Sequence, residues 1–225
     1  MGEEYKNSLL LDEEDMQDVM KEDLSDAIKH GLLVSKLASS IACVLGESEE
    51  FIESVALAGM VHDIGKLKLS KYLYGRKKDV LVVEEMKYVR LHSTYSYEIV
   101  KREGFSEEIQ QMVYHHHENY DGSGYPDNLK GTAIPWGARI LRTCDVFAAL
   151  VSKRPYRDAF DVDTALELMI DEVKNFDMRV FLAFQRVVND CNAEELRTLI
   201  ERVNNKDADE RWIQLYEEEF KEERK

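Results

Sequence analysis

The sequence predicts an all-α protein. Only three prolines and eleven glycines interrupt a chain of 225 residues. Apolar residues recur mostly at intervals of three and four, the spacing that places them on one face of a helix. The alternation that is typical of β-strands is scarce. With 44% hydrophobic residues, the chain is long enough to bury a core within a compact domain without disulfides.

Start and stop signals place the helices along the chain. Gly46 and Gly104 are suited to end helices, Ser48 and Ser106 to cap the helices that follow, and Pro135 to stand in a first helical turn. A basic segment, KLKLSKYLYGRKKD at 66–79, is expected to be irregular. Helices are predicted over 24–45, 48–61, 83–103, 106–117, 135–152, 162–173, 178–191 and 193–203. We divide the chain into an N-terminal extension, 1–23, a helical domain, 24–203, and a charged C-terminal helix or tail, 204–225.

Charge and targeting signals limit the classes of partner. The net charge of −15 argues against broad binding to DNA, RNA or an acidic membrane, because such binding needs many lysines and arginines. A small phosphate substrate would need positive charge supplied within its own site. The N-terminus has no leader pattern, and we expect no run of the roughly 18 apolar residues that a membrane span needs. The three widely spaced cysteines form no disulfide framework, which favours the cytoplasm.

Histidines and aspartates fall on helix faces that should point inward. His30 shares a face with Val34, Leu37 and Ile41, and Asp145 shares one with Leu141. Burying a carboxylate without a partner is costly. The residues placed in this way, on core-facing positions or at helix ends, are His30, His62, Asp63, His92, His116, His117 and Asp145.

Two interpretations of these residues compete. A single inward histidine is more often a hydrogen-bonded core residue than a ligand, and a single inward aspartate is often a cap or an ion-pair partner. Five histidines and two aspartates together favour a metal site. Imidazole and carboxylate suit Fe, Mn, Zn or Ni rather than Ca. A bridging aspartate would allow two ions about 3.5–4 Å apart.

Three motifs resemble one known family. HDIGK at 62–66, HHENYDGSGYP at 116–126 and DVFAALVSKRPYR at 145–157 are similar to those of the HD-GYP family, a branch of the HD-domain metal-dependent phosphohydrolases. The resemblance runs from about His30 to Arg157 and implies an HD-domain helical bundle with a metal site in its core. It implies that all seven residues above are metal ligands. It also makes Asp26 a candidate for holding a third metal, so that two or three divalent ions remain open.

The resemblance also implies an activity. Family members hydrolyse a cyclic dinucleotide, typically cyclic di-GMP, to the linear dinucleotide or GMP. Ions such as Fe or Mn would lower the pKa of a bound water, so that hydroxide attacks phosphorus in line with the departing ribose oxygen. Asp63 and Lys66 would lie at the catalytic centre. Lys66, Tyr125, Arg154 and Arg157 would contact the substrate.

The loop of the second motif carries its own predictions. We expect Gly122 and Gly124 to turn the backbone with positive φ, and Tyr125 with Pro126 to form a lip beside the substrate. His115 lies outside the family motif and is expected to be a partly exposed helix residue.

One departure from the family keeps alternatives open. The family stretch DxxDAL usually has a second acid where this chain has Ala148, and its loss is expected to weaken metal retention or change the preferred ion. The alternatives are an HD-domain hydrolase of another nucleotide, and a signalling or scaffold module with weakened catalysis. A homodimer or a regulatory protein partner is compatible with the sequence.

Overall fold

The computed structural model describes residues 13–73, 90–154, 157–191 and 193–205, with side chains for 24–69, 90–154, 157–189 and 193–205. Within these ranges the backbone forms helices and turns, and its β-type pairing is a bridge between Arg154 and Arg157. The prediction of an all-α fold is confirmed. The α-helices are α1 (Glu13–Leu45), α2 (Glu49–Val61), α3 (Lys66–Leu73), α4 (His92–Arg102), α5 (Glu107–Tyr114), α6 (Trp136–Val151), α7 (Val162–Asp171), α8 (Met178–Arg186) and α9 (Ala193–Asn204).

Predicted caps explain several helix boundaries. Gly46 and Gly104 have φ of 77° and 78°, the left-handed conformation that glycine adopts at low cost. The Ser48 and Ser106 side chains accept hydrogen bonds from backbone N–H groups three residues on. A π-helix at Val187–Cys191 continues α8, within the predicted 178–191 helix.

Some predicted boundaries were wrong. Helix α1 begins at Glu13 rather than at residue 24, because EEDMQDVMKED is rich in residues that favour helix and contains no breaker. The described part of the segment expected to be irregular, 66–73, forms α3, where Leu69 is buried and the helix packs against α1 and α4. In the described part of the helix expected over 83–103, Arg90 is helical, Leu91 forms a turn and α4 follows from His92 to Arg102. Residues 74–89 and 206–225 lie outside the described residues, and the domain division stays a prediction.

The core surrounds α1. This helix packs against α2, α6, α8 and α9, and its residues Leu33, Val34, Leu37 and Ile41 have no exposed surface. Phe147 on α6 meets Phe184 on α8 with ring centroids 5.0 Å apart. Helices α2 and α4 both pack against α5. Together these contacts bring α1, α2, α4, α5 and α6 toward one buried centre.

Part of α1 meets the simple criteria for a membrane span. By length and composition, residues 24–45 could cross a membrane, with a mean hydropathy of 1.4. This differs from the expectation that the chain has no such run. Half of that segment is buried within the protein, a property that core helices share. The segment is therefore weak evidence of a membrane span.

Candidate metal centre

Two groups of side chains, all buried except the partly exposed His117, meet where the five helices converge. One group contains His30, His62, Asp63 and Asp145, and the other contains Asp63, His92, His116 and His117. Within each group, the candidate ligand atoms all lie within 4.8 Å of one another. The structure thus brings together all seven residues that the sequence singled out.

Asp63 belongs to both groups, and its two oxygens face different halves of the centre. Oδ2 lies 3.4 Å from Nε2 of His62 and 3.8 Å from Nε2 of His30. Oδ1 lies 3.2 Å from Nε2 of His92 and 3.9 Å from Nε2 of His116. This is the arrangement in which one carboxylate can bridge two ions.

Backbone contacts fix the orientation of two imidazoles. Nδ1 of His62 donates to the carbonyl oxygen of Gly59 at 2.7 Å, and Nδ1 of His116 donates to that of Val113 at 2.6 Å. Each ring therefore turns Nε2 toward the centre, and outer hydrogen bonds of this kind are typical of metal-binding histidines.

The donor set fits divalent metal ions. Nε2 of His62 and Oδ1 of Asp63 are buried and have no hydrogen-bond partner among the described residues. Nε2 of His62 instead faces carboxylate oxygens of Asp63 and Asp145 at 3.4 and 3.6 Å. Lone pairs that converge in this way need a proton or a cation between them. Buried imidazoles and carboxylates that supply such lone pairs are the ligands that borderline transition metals prefer.

The electrostatics of the two groups differ. Burial opposes a charge on His62, but Asp63 and Asp145 outweigh it and raise its pKa to about 10. Burial lowers the pKa of His117 to about 3, and burial with the neighbouring histidines lowers the pKa of His116 well below its usual range. The group with two carboxylates thus attracts positive charge strongly at His62, whereas His116 and His117 in the other group stay neutral.

Lys66 and Gly65 adjoin Asp63 in the turn that starts α3. The ammonium of Lys66 lies 2.5 Å from Oδ2 of Asp63. Burial opposes ionisation of Asp63, but Lys66 and His62 outweigh this effect and hold its pKa well below the usual range. The N–H of Gly65 donates to the Ser96 hydroxyl at 2.9 Å. This bond ties the turn to α4, the helix that carries His92.

The loop after α5 covers the side of the centre where His117 lies. The ring of Tyr125 stacks on His117, with centroids 4.7 Å apart and an interplanar angle of 27°. Gly122 has φ of 88°, as predicted, but Gly124 does not have positive φ. Gly124 instead allows close approach, since a Cβ there would lie 2.5 Å from both Cα of Glu118 and the carbonyl oxygen of His117.

His115 is not the partly exposed helix residue that was expected. It is buried in the turn after α5, with Nε2 3.2 Å from Oδ2 of Asp127 in the loop. The buried carboxylate of Glu118 accepts hydrogen bonds from the N–H groups of Asp127 and Leu129. The helix ends at Tyr114 because these contacts, and a bond from the Tyr125 N–H to the carbonyl of His117, draw the chain into the loop.

Other predicted residues lie outside the two groups. Asp26 is exposed, one turn before His30 on α1. Arg154 pairs through its backbone with Arg157. The guanidinium of Arg157 donates to the carbonyl oxygens of Ala149 and Leu150 at the end of α6, at 2.7 and 3.1 Å. Ala148 packs in the apolar core.

Three polar residues near the centre were not predicted. Arg142 is half-buried on α6, one turn before Asp145, and its Nε donates to Oδ1 of Asn119 at 2.8 Å. Arg90 lies with its guanidinium carbon 5.3 Å from the centroid of the Tyr125 ring. The helical spacing that singled out Asp145 would also have placed Arg142 toward the centre, whereas nothing in the sequence pattern linked Arg90 to Tyr125.

Comparisons with known proteins identify the family that the chain resembles. Residues 14–180 match the family described as HD domain. The chain is 38% identical over 156 residues to the cyclic di-GMP phosphodiesterase response regulator RpfG of Xanthomonas campestris, covering 68% of this chain and 41% of RpfG. It is 34% identical over 155 residues to the 3′3′-cGAMP-specific phosphodiesterase 1 of Vibrio cholerae, covering 68% of this chain and 36% of that protein.

Solved structures share the fold. The HDG"Y"P protein Bd1817 of Bdellovibrio bacteriovorus matches 72% of this chain and 52% of its own, with a TM-score of 0.60 and 19% identity. A cyclic GMP-AMP specific phosphodiesterase of V. cholerae, V-cGAP3, matches 86% of this chain and 52% of its own, with a TM-score of 0.57 and 15% identity. The chain spans about two fifths of the length of the two curated relatives above, at 41% and 36%.

Proposed function

The chain belongs to the HD-domain family, in its HD-GYP branch, and from this premise we propose that it is a metal-dependent phosphodiesterase of cyclic dinucleotides. The observation that carries the proposal is that Asp63 is shared by two groups of buried imidazoles and carboxylates. Two ions a few ångströms apart are the usual device for displacement at a phosphodiester.

The seven residues of the two groups would hold the ions. His30, His62 and Asp145 would bind one, His92, His116 and His117 the other, and Asp63 both. Such ions supply a nucleophile from water at neutral pH and offset the charge of the phosphodiester. Imidazole with carboxylate is compatible with Fe or Mn, which we propose as the metals. A third ion beside Asp26 stays a prediction, because Asp26 lies in neither group.

The chain's own side chains would bind and orient the substrate. The Lys66 ammonium lies at the bridging carboxylate, where it can donate to a phosphate oxygen next to the reacting bond. Water adds to phosphorus, the bond from phosphorus to one ribose oxygen breaks, and that oxygen leaves with a proton. Tyr125 stacks on His117 and would form a wall against a base or ribose.

Arg154 and Arg157 have different surroundings. The guanidinium of Arg157 donates hydrogen bonds to the C-terminal carbonyl oxygens of α6. Its carbon lies 4.4 Å from the centroid of the Phe160 ring. We propose that Arg157 acts on substrate mainly by fixing the backbone of Arg154, whose guanidinium would reach the substrate. Their direct substrate contacts stay predictions.

Cyclic di-GMP is the substrate that we propose first. RpfG, described as a cyclic di-GMP phosphodiesterase, supports this choice. The second candidate is 3′3′-cGAMP, because another relative is described as specific for it. The two substrates differ by one base, so the base-binding surroundings of the metal centre would decide between them.

The test measures metal content and products in one sample. The protein is purified without oxygen, analysed for its elements, and incubated with cyclic di-GMP or 3′3′-cGAMP, and the products are resolved by chromatography. We expect bound Fe or Mn together with linear dinucleotide or GMP, and loss of both metal and product in a double variant, His62→Ala with Asp63→Ala. Bound metal without turnover of either substrate would favour a hydrolase of another nucleotide. A metal-free, inactive protein would favour a scaffold.

We also propose a cytoplasmic location. Cys43 and Cys144 are free thiols in the structure, which is usual in a reducing compartment. A homodimer or a regulatory partner stays a prediction from the sequence.

A further inference from the structure

Arg142 places a guanidinium beside the metal centre on the side where His117 lies. It stands on α6, three residues before Asp145 and therefore on the same helix face. Its Nε lies 2.8 Å from Oδ1 of Asn119, two residues after His117 in the loop that also carries Tyr125. This contact places the guanidinium beside the loop of the stacked pair, His117 and Tyr125.

Among the described residues, the Arg142 side chain is held at its Nε edge. Nε donates to Oδ1 of Asn119, and Nδ2 of Asn119 donates in turn to the Ser123 hydroxyl at 2.9 Å. Within the described ranges, the two terminal nitrogens of Arg142 have no acceptor. A half-buried guanidinium with unused donors is costly in a folded protein unless a ligand or water accepts from them.

Charge balance indicates what that ligand is. The protein carries a net charge of −15, so an anionic substrate needs cations placed within the site. Lys66 lies at Oδ2 of Asp63, on the side of the centre that faces His30 and His62. Arg142 is held by a different element, the loop after His117, through its bond to Asn119. A cyclic dinucleotide has two phosphodiester groups, and only one of them reacts at a time.

We propose that Arg142, oriented by Asn119, binds the phosphodiester of the cyclic dinucleotide that is not being cut. The inference rests on the proposed function. Arg142 would favour substrates with two phosphates over simple diesters, because a guanidinium can donate two parallel hydrogen bonds to one phosphate. Asn119 is then a positioning residue for Arg142.

The experiment compares a substrate with two phosphates and one with a single phosphate. Steady-state kinetics are measured on cyclic di-GMP and on bis(4-nitrophenyl) phosphate for the wild type, Arg142→Met, Arg142→Lys and Asn119→Ala. For Arg142→Met we expect the KM for cyclic di-GMP to rise about 10- to 100-fold, the loss typical of a charged hydrogen bond. We expect kcat for cyclic di-GMP and kcat/KM for the single-phosphate diester to change by less than about twofold. Arg142→Lys should recover part of the loss, and Asn119→Ala should lose less than Arg142→Met.

Controls separate substrate binding from general damage. Arg102→Met removes an exposed arginine that pairs with Glu103 and should change neither reaction. Metal content and circular dichroism should match the wild type in each variant. Equal losses on both substrates, or no loss on cyclic di-GMP, would overturn the inference while leaving the proposed function standing. A wild type that cuts neither cyclic di-GMP nor 3′3′-cGAMP would overturn both.

Discussion

The Lys66 ammonium lies 2.5 Å from Oδ2 of Asp63, the carboxylate oxygen that also faces His30 and His62. The same oxygen must therefore serve both the lysine and any ion held by His30 and His62. A cation near this oxygen helps to bind a phosphate but repels a metal ion, so Lys66 has opposite effects on substrate and on metal.

Replacing Lys66 should separate these two effects. In Lys66→Met we expect the Mn²⁺ affinity of this half of the centre to rise at least about fivefold, because two unit charges about 4 Å apart repel by about 1 kcal/mol even in water. Hydrolysis of cyclic di-GMP should fall about 100-fold with the lost phosphate contact. Competition with a chelating dye measures the first quantity, and product chromatography measures the second.

Lys68 offers a matched control for Lys66. It lies on the same helix, pairs with Glu98 at 3.4 Å and has a half-exposed side chain. Lys68→Met should leave both metal affinity and hydrolysis unchanged. Unaltered Mn²⁺ affinity in Lys66→Met would show that the lysine does not compete with the metal.

The position of Asp63 between the groups predicts a pattern of metal content. We expect about two equivalents of metal in the wild type, about one in Asp145→Asn or His117→Gln, and almost none in Asp63→Asn, because only Asp63 is common to both groups. Elemental analysis after gel filtration measures the content. Asp161→Asn, at the N-cap of α7 away from the centre, is the control. Loss of both equivalents in Asp145→Asn would instead mean that the two groups bind metal as one unit.

The helix periodicity of the sequence predicted much of this centre. His30 could be placed because its neighbours at helical spacing, Val34, Leu37 and Ile41, are apolar, and all three are fully buried. Asp145 could be placed by the same reasoning on α6. What the pattern could not supply is the orientation of single atoms. The division of the two Asp63 oxygens between the groups depends on the packing of α1, α2, α4 and α5.

Other features depended on contacts between residues distant in sequence. The burial of His115 follows from its contact with Asp127 in the loop, and the helix α3 follows from burial of Leu69. Local composition showed only a histidine at a helix end and a basic stretch. The helical spacing from Asp145 could have placed Arg142, but its partner Asn119, 23 residues away in the loop, could not have been predicted from local pattern.

The close packing around Gly65 predicts that the metal centre is sensitive to a larger side chain at this position. A Cβ at Gly65 would lie 2.6 Å from the N of Ser96 and would also meet the carbonyl oxygen of His92. Gly65→Ala should therefore push α4 away from the turn that carries Asp63. We expect a loss of stability of roughly 1–3 kcal/mol in urea unfolding, the usual cost of overpacking, together with reduced metal content.

Gly104 provides the contrast for Gly65. It has φ of 78° with open space around it, at the end of α4 away from the metal centre. Gly104→Ala should also destabilise the protein, since alanine is strained at this φ, but its metal content should stay at the wild-type level. Normal metal content in Gly65→Ala would show that the contact between the turn and α4 is not required for metal binding.

The raised pKa of His62 predicts how the stability of the metal-free protein depends on pH. The carboxylates of Asp63 and Asp145 outweigh the effect of burial and raise its pKa from 6.5 to about 10 in the folded state. Its contribution to stability is therefore fully present below pH 6.5 and is lost as pH rises through about 10. Protein treated with a chelator should become less stable between pH 6.5 and 8, by at most about 1.4 kcal/mol per pH unit for one proton.

Urea unfolding at several pH values in this window measures the slope. In the chelated protein, His62→Gln should remove the slope of stability against pH, because the titrating imidazole is gone. The metal-loaded wild type should also lack this slope, since a metal-bound His62 is neutral at each of these pH values. By the same linkage, Mn²⁺ binding near pH 7.5 should release close to one proton, which calorimetry in buffers of different ionisation enthalpy can count. Stability of the chelated wild type that rises from pH 6.5 to 8 would contradict a charged His62 between the two carboxylates.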